Sequence, residues 1–244
     1  MNKLILLLSL ILFLPACSTI PADSSLFKIK YRELMKNVES EGVIIDIEQF
    51  KELGNLATTN AEQAQAELAL AYAYYKDSQF DVSVERLEAF TRNYPGYPHL
   101  DYVLYLRALA TKAQGKLEFI QAVSQISANA PYPEKLRLAY RYFVDLISRY
   151  PKSEYSAQAL NFMKNIRTNL AAYEIFVARY DLVEGRQSEV IRRSQYVLEF
   201  YKDTPVADEA YELLAKVYRA QGKVKKAEEI ERQQEQARRE LSSR

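Results

Sequence analysis

"AELALAYAYYKDSQFDVSVERLEAFTRNYP", residues 66–95, decides the fold. Leu68, Ala71, Tyr72 and Tyr75 fall at i, i+3, i+4 and i+7, which puts one apolar stripe along a helix. After the polar break Asp77-Ser78, Val84, Leu87 and then Phe90 or Thr91 repeat that spacing. Pro95 closes the second segment, because proline offers no N–H and clashes with the preceding turn. The stretch therefore reads as two amphipathic helices joined by a tight turn, each burying its stripe against a neighbour.

The same punctuation recurs along the chain. "RNYP" ends at Pro95, "SRYP" at Pro151 and "EFYKDTP" at Pro205. The pairs Glu41-Gly42, Gln114-Gly115, Glu184-Gly185 and Gln221-Gly222 predict turns. Seven positions before the last three glycines stand Ala108, Ala178 and Ala215, and Ala71 has the same relation to Ser78. The interval from 71 to 108 is 37 residues, as is that from 178 to 215. This degenerate period resembles the tetratricopeptide repeat, which has small residues where two helices touch. Leu214, Ala215, Tyr218, Gly222 and Ala227 sit at its consensus spacings, and Ala139, Phe143 and Pro151 match a second helix. The expected fold is all-α: a tetratricopeptide-repeat-like solenoid of about five helix pairs over residues 27–244. The first pair, "EGVIIDIEQFKELGNL", lacks the small residue and the closing proline. The third carries an insertion, "GKLEFIQAVSQISANAPYP", expected between its two helices. Ser153 to Glu184 has no Gly or Pro and predicts one long helix. The polar tail from Lys223 reads as a capping helix with i,i+4 pairs such as Glu235-Arg239 and an end free to fray.

The N-terminus has a different character. Met1-Asn2-Lys3 is short and basic, and Leu4 to Leu14 is apolar except for Ser9. That length suits a signal-peptide h-region and falls short of the roughly 20 residues of a membrane-spanning helix. Leu14-Pro15-Ala16-Cys17 resembles a bacterial lipobox. The resemblance implies cleavage after residue 16 and a covalent lipid on Cys17: a diacylglycerol thioether plus an N-acyl group, which together anchor stably. Ser18, where an Asp often retains such proteins at the inner membrane, points to the outer membrane of a Gram-negative cell. Residues 17–26 read as a lipidated tether. Cys17 is the only cysteine, so an intramolecular disulfide is excluded.

Composition narrows the function. Without residues 1–16 the chain keeps 32 basic and 32 acidic side chains, which argues against a nucleic-acid partner. The single histidine, His99, and the single cysteine exclude a His-Cys metal cluster, and six scattered glycines make no phosphate loop. No catalytic constellation is present, no cofactor beyond the lipid is implied, and binding is the expected role. The 19 tyrosines supply its surface. Tyr72 and Tyr75 share a helix face and are expected to pack between repeats. Tyr74 points elsewhere and, with Tyr102 or Tyr105, is expected to line a concave groove suited to peptides.

Four further stretches carry a family resemblance: "LAYAYYK" (70–76), "YPHLDYVLYLRAL" (97–109), "LISRYPKSEYSAQAL" (146–160) and "YEIFVARYDLVEG" (173–185). Together they resemble the BamD family of β-barrel assembly lipoproteins, whose H-P-x-x-D-Y-V-x-Y-x-R-G segment is matched by Pro98, Asp101, Tyr102, Val103, Tyr105 and Arg107. Tyr97 and Ala108 depart from that segment. The resemblance implies a non-catalytic subunit of the machine that inserts barrel proteins into the outer membrane. Its implied partners are the barrel-forming BamA subunit, the other lipoproteins of the complex and unfolded outer-membrane proteins. It implies an ion pair to BamA at Arg193, with neighbouring Arg192 as substitute, and a substrate groove of Tyr74, Tyr102, Tyr105 and Arg107. A different periplasmic tetratricopeptide lipoprotein, scaffolding cell-wall enzymes, would share the anchor and the repeats.

Overall fold

The computed structural model describes residues 25–40, 42, 44–124 and 132–242. The expected signal peptide, Cys17 and most of the tether lie outside the described residues, as does the end of the third pair's insertion. Of the tether, Ser25 and Leu26 are described, and they already belong to the body. Leu26 opens the first helix, and the Ser25 hydroxyl caps it by accepting from the Lys28 N–H.

Ten helices are described, in five consecutive pairs: α1 (Leu26–Glu39) with α2 (Ile47–Asn55), α3 (Asn60–Lys76) with α4 (Phe80–Asn93), α5 (Leu100–Ser124) with α6 (Glu134–Arg149), α7 (Ser156–Val183) with α8 (Gln187–Phe200), and α9 (Ala207–Ala220) with α10 (Val224–Ser242). No strand occurs among the described residues. Each helix packs on its neighbours in sequence, which is the layout of a solenoid.

Three of the five turns are built alike. Ser78, Gly185 and Gly222 all adopt positive φ, at 61°, 73° and 72°. In each, the next residue's N–H reaches a carbonyl five positions back: Gln79 to Tyr74 (2.9 Å), Arg186 to Asp181 (2.8 Å) and Lys223 to Tyr218 (2.9 Å). This is the Schellman closure, which satisfies orphan carbonyls at a helix end and favours glycine at the left-handed position. The repeating alanines lie where the helices touch: Ala71, Ala108 and Ala178 are fully buried and Ala215 nearly so. In the second pair the contact is close enough for buried Ser83 on α4 to donate to the Ala71 carbonyl on α3 at 2.9 Å.

Gln114-Gly115 is not a turn. Gly115 is buried inside α5, which continues to Ser124, so the first half of the insertion lengthens the helix. A Cβ on Gly115 would stand 2.5 Å from the backbone nitrogen of Leu136 and 2.9 Å from its side chain. The glycine is there because the start of α6 crosses α5 at that point. Sequence punctuation could not distinguish this close approach from a turn.

The long helix α7 is the pivot of the molecule. Its second half receives α8, while Arg167 near its middle meets both the end of α8 and Tyr140 of α6. One continuous core runs across α5 to α9, from Leu104 through Phe143, Ile166 and Val197 to Val217. Smaller cores lie under α1–α3 and between α3, α4 and α5. At the C-terminal end Leu214, Tyr218, Ala227 and Ile230 join α10 to α9.

Candidate functional site

A strip of tyrosines runs along the first helices of successive pairs. Tyr72 and Tyr75 on α3 stack at 6.3 Å, and Tyr75 meets Phe80 at 5.9 Å. On α5, Tyr102 and Tyr105 flank Tyr155, the residue before α7, at 5.6 and 4.7 Å. Tyr97 stands edge-on to Phe90 at 5.1 Å. Burial raises the Tyr102 phenol far above its ordinary pKa, and Tyr72, Tyr155, Glu39 and Tyr31 add to the shift, which brings α1, α3, α5 and the start of α7 to one place. The Tyr72 hydroxyl donates to Glu39 at 2.5 Å, Tyr94 to Glu67 at 2.9 Å and Tyr105 to Gln158. The Tyr75 and Tyr102 hydroxyls have no hydrogen-bond partner among the described residues. The face thus offers aromatic rings, two free hydroxyls and the carboxylates of Glu39 and Glu67. Such a surface takes an extended apolar segment by ring contact and hydrogen bonding.

The structure divides the expected groove residues. Tyr102 and Tyr105 belong to the strip, although Tyr105 is itself 7% exposed and mostly holds Tyr155 in place. Tyr74 does not line a groove. It is 7% exposed and packs with Phe27, Leu34, Phe50 and Leu70, with the Arg86 guanidinium 5.2 Å above its ring. Helix α3 is covered on two sides, by α1 and α2 and by α4, so a single apolar stripe did not separate its core face from its open one. Tyr72 and Tyr75 are half-buried and pack against the core between α3, α4 and α5, as expected, while their open edges join the strip. Arg107 also turns away. It lies 3.9 Å from the Tyr142 ring centre and 3.7 Å from Asp145, both on α6, and so braces α5 against α6. Tyr31, Tyr97 and Tyr155 were missed; Tyr97 and Tyr155 carried a signal, from their places in the quoted "YPHLDYVLYLRAL" and "LISRYPKSEYSAQAL", and Tyr31 carried none.

The two arginines of α8 differ sharply. Arg193 is 17% exposed and lies between two carboxylates of α7: Glu174 at 2.8 Å and Asp181 at 3.1 Å. Those carboxylates are 7% and 4% exposed, and Arg186 holds the other Asp181 oxygen at 2.8 Å. Arg193 therefore fastens α8 to α7 rather than standing free for a partner. Arg192 is 58% exposed and pairs only with Glu189, at 2.8 Å, an exposed pair that a partner's carboxylate can replace at small cost.

Among the described residues no group of three His, Cys, Asp or Glu side chains is placed to hold a metal ion. None of the described helices is long and apolar enough to cross a membrane.

Residues 25–233 match the model of a protein family described as YfiO, outer membrane lipoprotein. The chain is 30% identical over 241 residues to the outer membrane protein assembly factor BamD of Neisseria meningitidis, covering 95% of this chain and 90% of that protein. It is also 30% identical over 192 residues to the BamD of Vibrio cholerae, covering 79% of each. A solved structure of TPR-like repeats from a Podosopora anserina putative kinesin light chain aligns with 89% of this chain and 97% of its own, at 14% identity and a TM-score of 0.39.

Proposed function

The chain belongs to the YfiO family of outer membrane lipoproteins, among its BamD assembly factors, and from that membership we propose that it is a lipid-anchored, non-catalytic subunit of the β-barrel assembly complex. It serves outer membrane protein assembly and is not an enzyme. The observation that carries this reading is the extent of the family match, which spans residues 25–233 and so takes in both the tyrosine strip and the α7–α8 pair.

The finer assignments follow from the chemistry of the two faces. The strip of Tyr72, Tyr75, Tyr102 and Tyr155 receives extended segments of unfolded outer-membrane proteins, whose alternate side chains suit a row of rings. The C-terminal pairs meet a BamA-type barrel subunit, with Arg192 as the accessible cation and Arg193 as the residue that positions its helix. Cys17 carries the diacylglycerol thioether and N-acyl groups that tie the body to the periplasmic face of the outer membrane. Other lipoproteins of the complex complete the assembly.

Purification of the tagged protein in mild detergent tests the reading, with wild type beside Arg192→Glu and co-purifying proteins identified by mass spectrometry. A large barrel protein with periplasmic repeats is expected to dominate the wild-type sample and to fall several-fold in the variant. Its absence from both, with cell-wall enzymes in its place, would transfer the solenoid to a scaffolding role. Membrane fractionation of Cys17→Ala tests the anchor: the variant is expected in soluble or unprocessed form, and unchanged outer-membrane recovery would remove the lipid from the account.

A further inference from the structure

A notch of about 230 Å³ opens where the start of α6 meets the end of α8 over the middle of α7. Arg137, Tyr140 and Arg141 of α6, Arg167 and Leu170 of α7, and Tyr201 after α8 line it. Its floor is hydrocarbon, because Leu170 is buried and the Tyr201 ring lies 5.3 Å beneath the Arg167 guanidinium. Arg167 is fixed: it donates to the Phe200 carbonyl at 2.7 Å and pairs with Asp203. Arg137 stands 3.7 Å from Glu134. Arg141 is exposed and makes no ion pair or hydrogen bond among the described residues. Three guanidiniums thus converge on one concavity, and one has no carboxylate of its own.

We propose that this notch is a socket for an Asp or Glu side chain of a protein partner, flanked in the partner's chain by apolar residues. It is separate from the tyrosine strip and from Arg192, and it does not depend on which complex the protein serves. The guanidiniums call for an oxyanion, carboxylate or phosphate, and the walls select between the two. The walls of Tyr140, Tyr201 and Leu170 suit the hydrocarbon next to a peptide carboxylate, whereas a phosphate needs hydrogen-bond donors on every side. The notch also exceeds the size of a bare anion and can hold a residue with part of its neighbours. Its place over the midpoint of α7, where the first three pairs meet the last two, would let one inserted residue fix the angle between them.

Nuclear magnetic resonance titration of the full chain in mild detergent tests this, read at the arginine Nε–H resonances. The probes are acetyl-Leu-Glu-Leu-amide, acetyl-Leu-Gln-Leu-amide and glycerol phosphate. The glutamate peptide is expected to shift the Arg137, Arg141 and Arg167 signals, with at least about five-fold weaker binding for the glutamine peptide and for the Arg141→Ala variant. Arg92→Ala, an exposed arginine on α4, should bind like wild type. Tighter binding of glycerol phosphate would overturn the proposal in favour of a phosphate or lipid headgroup site. So would equal binding of the two peptides, binding unchanged in Arg141→Ala, or no shift at the three arginines.

Discussion

At the scale of the residue, the chain uses arginine for structure more than for display. Arg193 neutralises the buried Glu174 of α7 and shares Asp181 with Arg186. Removing one partner of such a pair costs about 3 kcal/mol, since the remaining charges stay out of water uncompensated. Arg193→Ala is therefore expected to lower the unfolding free energy by roughly 3 kcal/mol in urea titration, while Arg192→Ala stays within about 0.5 kcal/mol of wild type. Equal, small effects would mean that Arg193 is free after all. A binding defect in an Arg193 variant consequently speaks to folding first, and Arg192→Glu is the cleaner probe of an interface. The sequence placed the two arginines side by side, but nothing in it showed that Glu174 and Asp181, on a helix read only as long and unbroken, face one of them. The tyrosines repeat the lesson. Helical spacing correctly put Tyr74 on a different face from Tyr72 and Tyr75, and it could not say which face the neighbouring pairs cover.

At the scale of the element, the legible features were those with a local physical cause. The stripe, the proline stops and the left-handed turn residues are short-range, and the five pairs followed from them. The long unbroken helix over residues 153–184 emerged as Ser156–Val183, because nothing within it interrupts the hydrogen-bond ladder. Gly115 failed because its cause is long-range: the backbone of Leu136, on another helix, occupies the space of a side chain. Gly115→Ala gains about 1 kcal/mol in helix propensity and loses more to the 2.5 Å overlap. A net loss of about 1–3 kcal/mol is expected, seen as a fall of several degrees in melting temperature. A rise would show that α6 yields freely.

The last helix gives a second test at this scale. Hydrogen bonding from Arg238, helped by Gln234, holds the Asp208 carboxyl below the usual carboxylate range. Its folded pKa lies under its unfolded value, so its contribution is present above about pH 4 and fades as pH falls through the folded value. Hydrogen exchange, corrected for intrinsic rates, should show α10 holding its protection from pH 6 to about pH 4 and losing it below that. Asp208→Asn should reproduce that loss at pH 6. Equal protection of α10 in wild type and variant at pH 6 would exclude this fastening.

At the scale of the whole molecule, a tyrosine strip on the first pairs and a charged C-terminal half meet through one pivot helix. Fold and family were legible in the sequence because repeats and motifs are linear. The composition of the faces was not, since it depends on how neighbouring pairs cover one another. The central claim is that this protein assembles barrels into the outer membrane. The most direct test is depletion of the protein in its own cells, followed by measurement of folded, heat-modifiable barrel proteins in the outer membrane. Folded barrels are expected to fall several-fold on depletion, to return with the wild-type gene, and to return only partly with Tyr72→Ala/Tyr102→Ala. Undiminished barrel levels after the protein is gone would contradict the account.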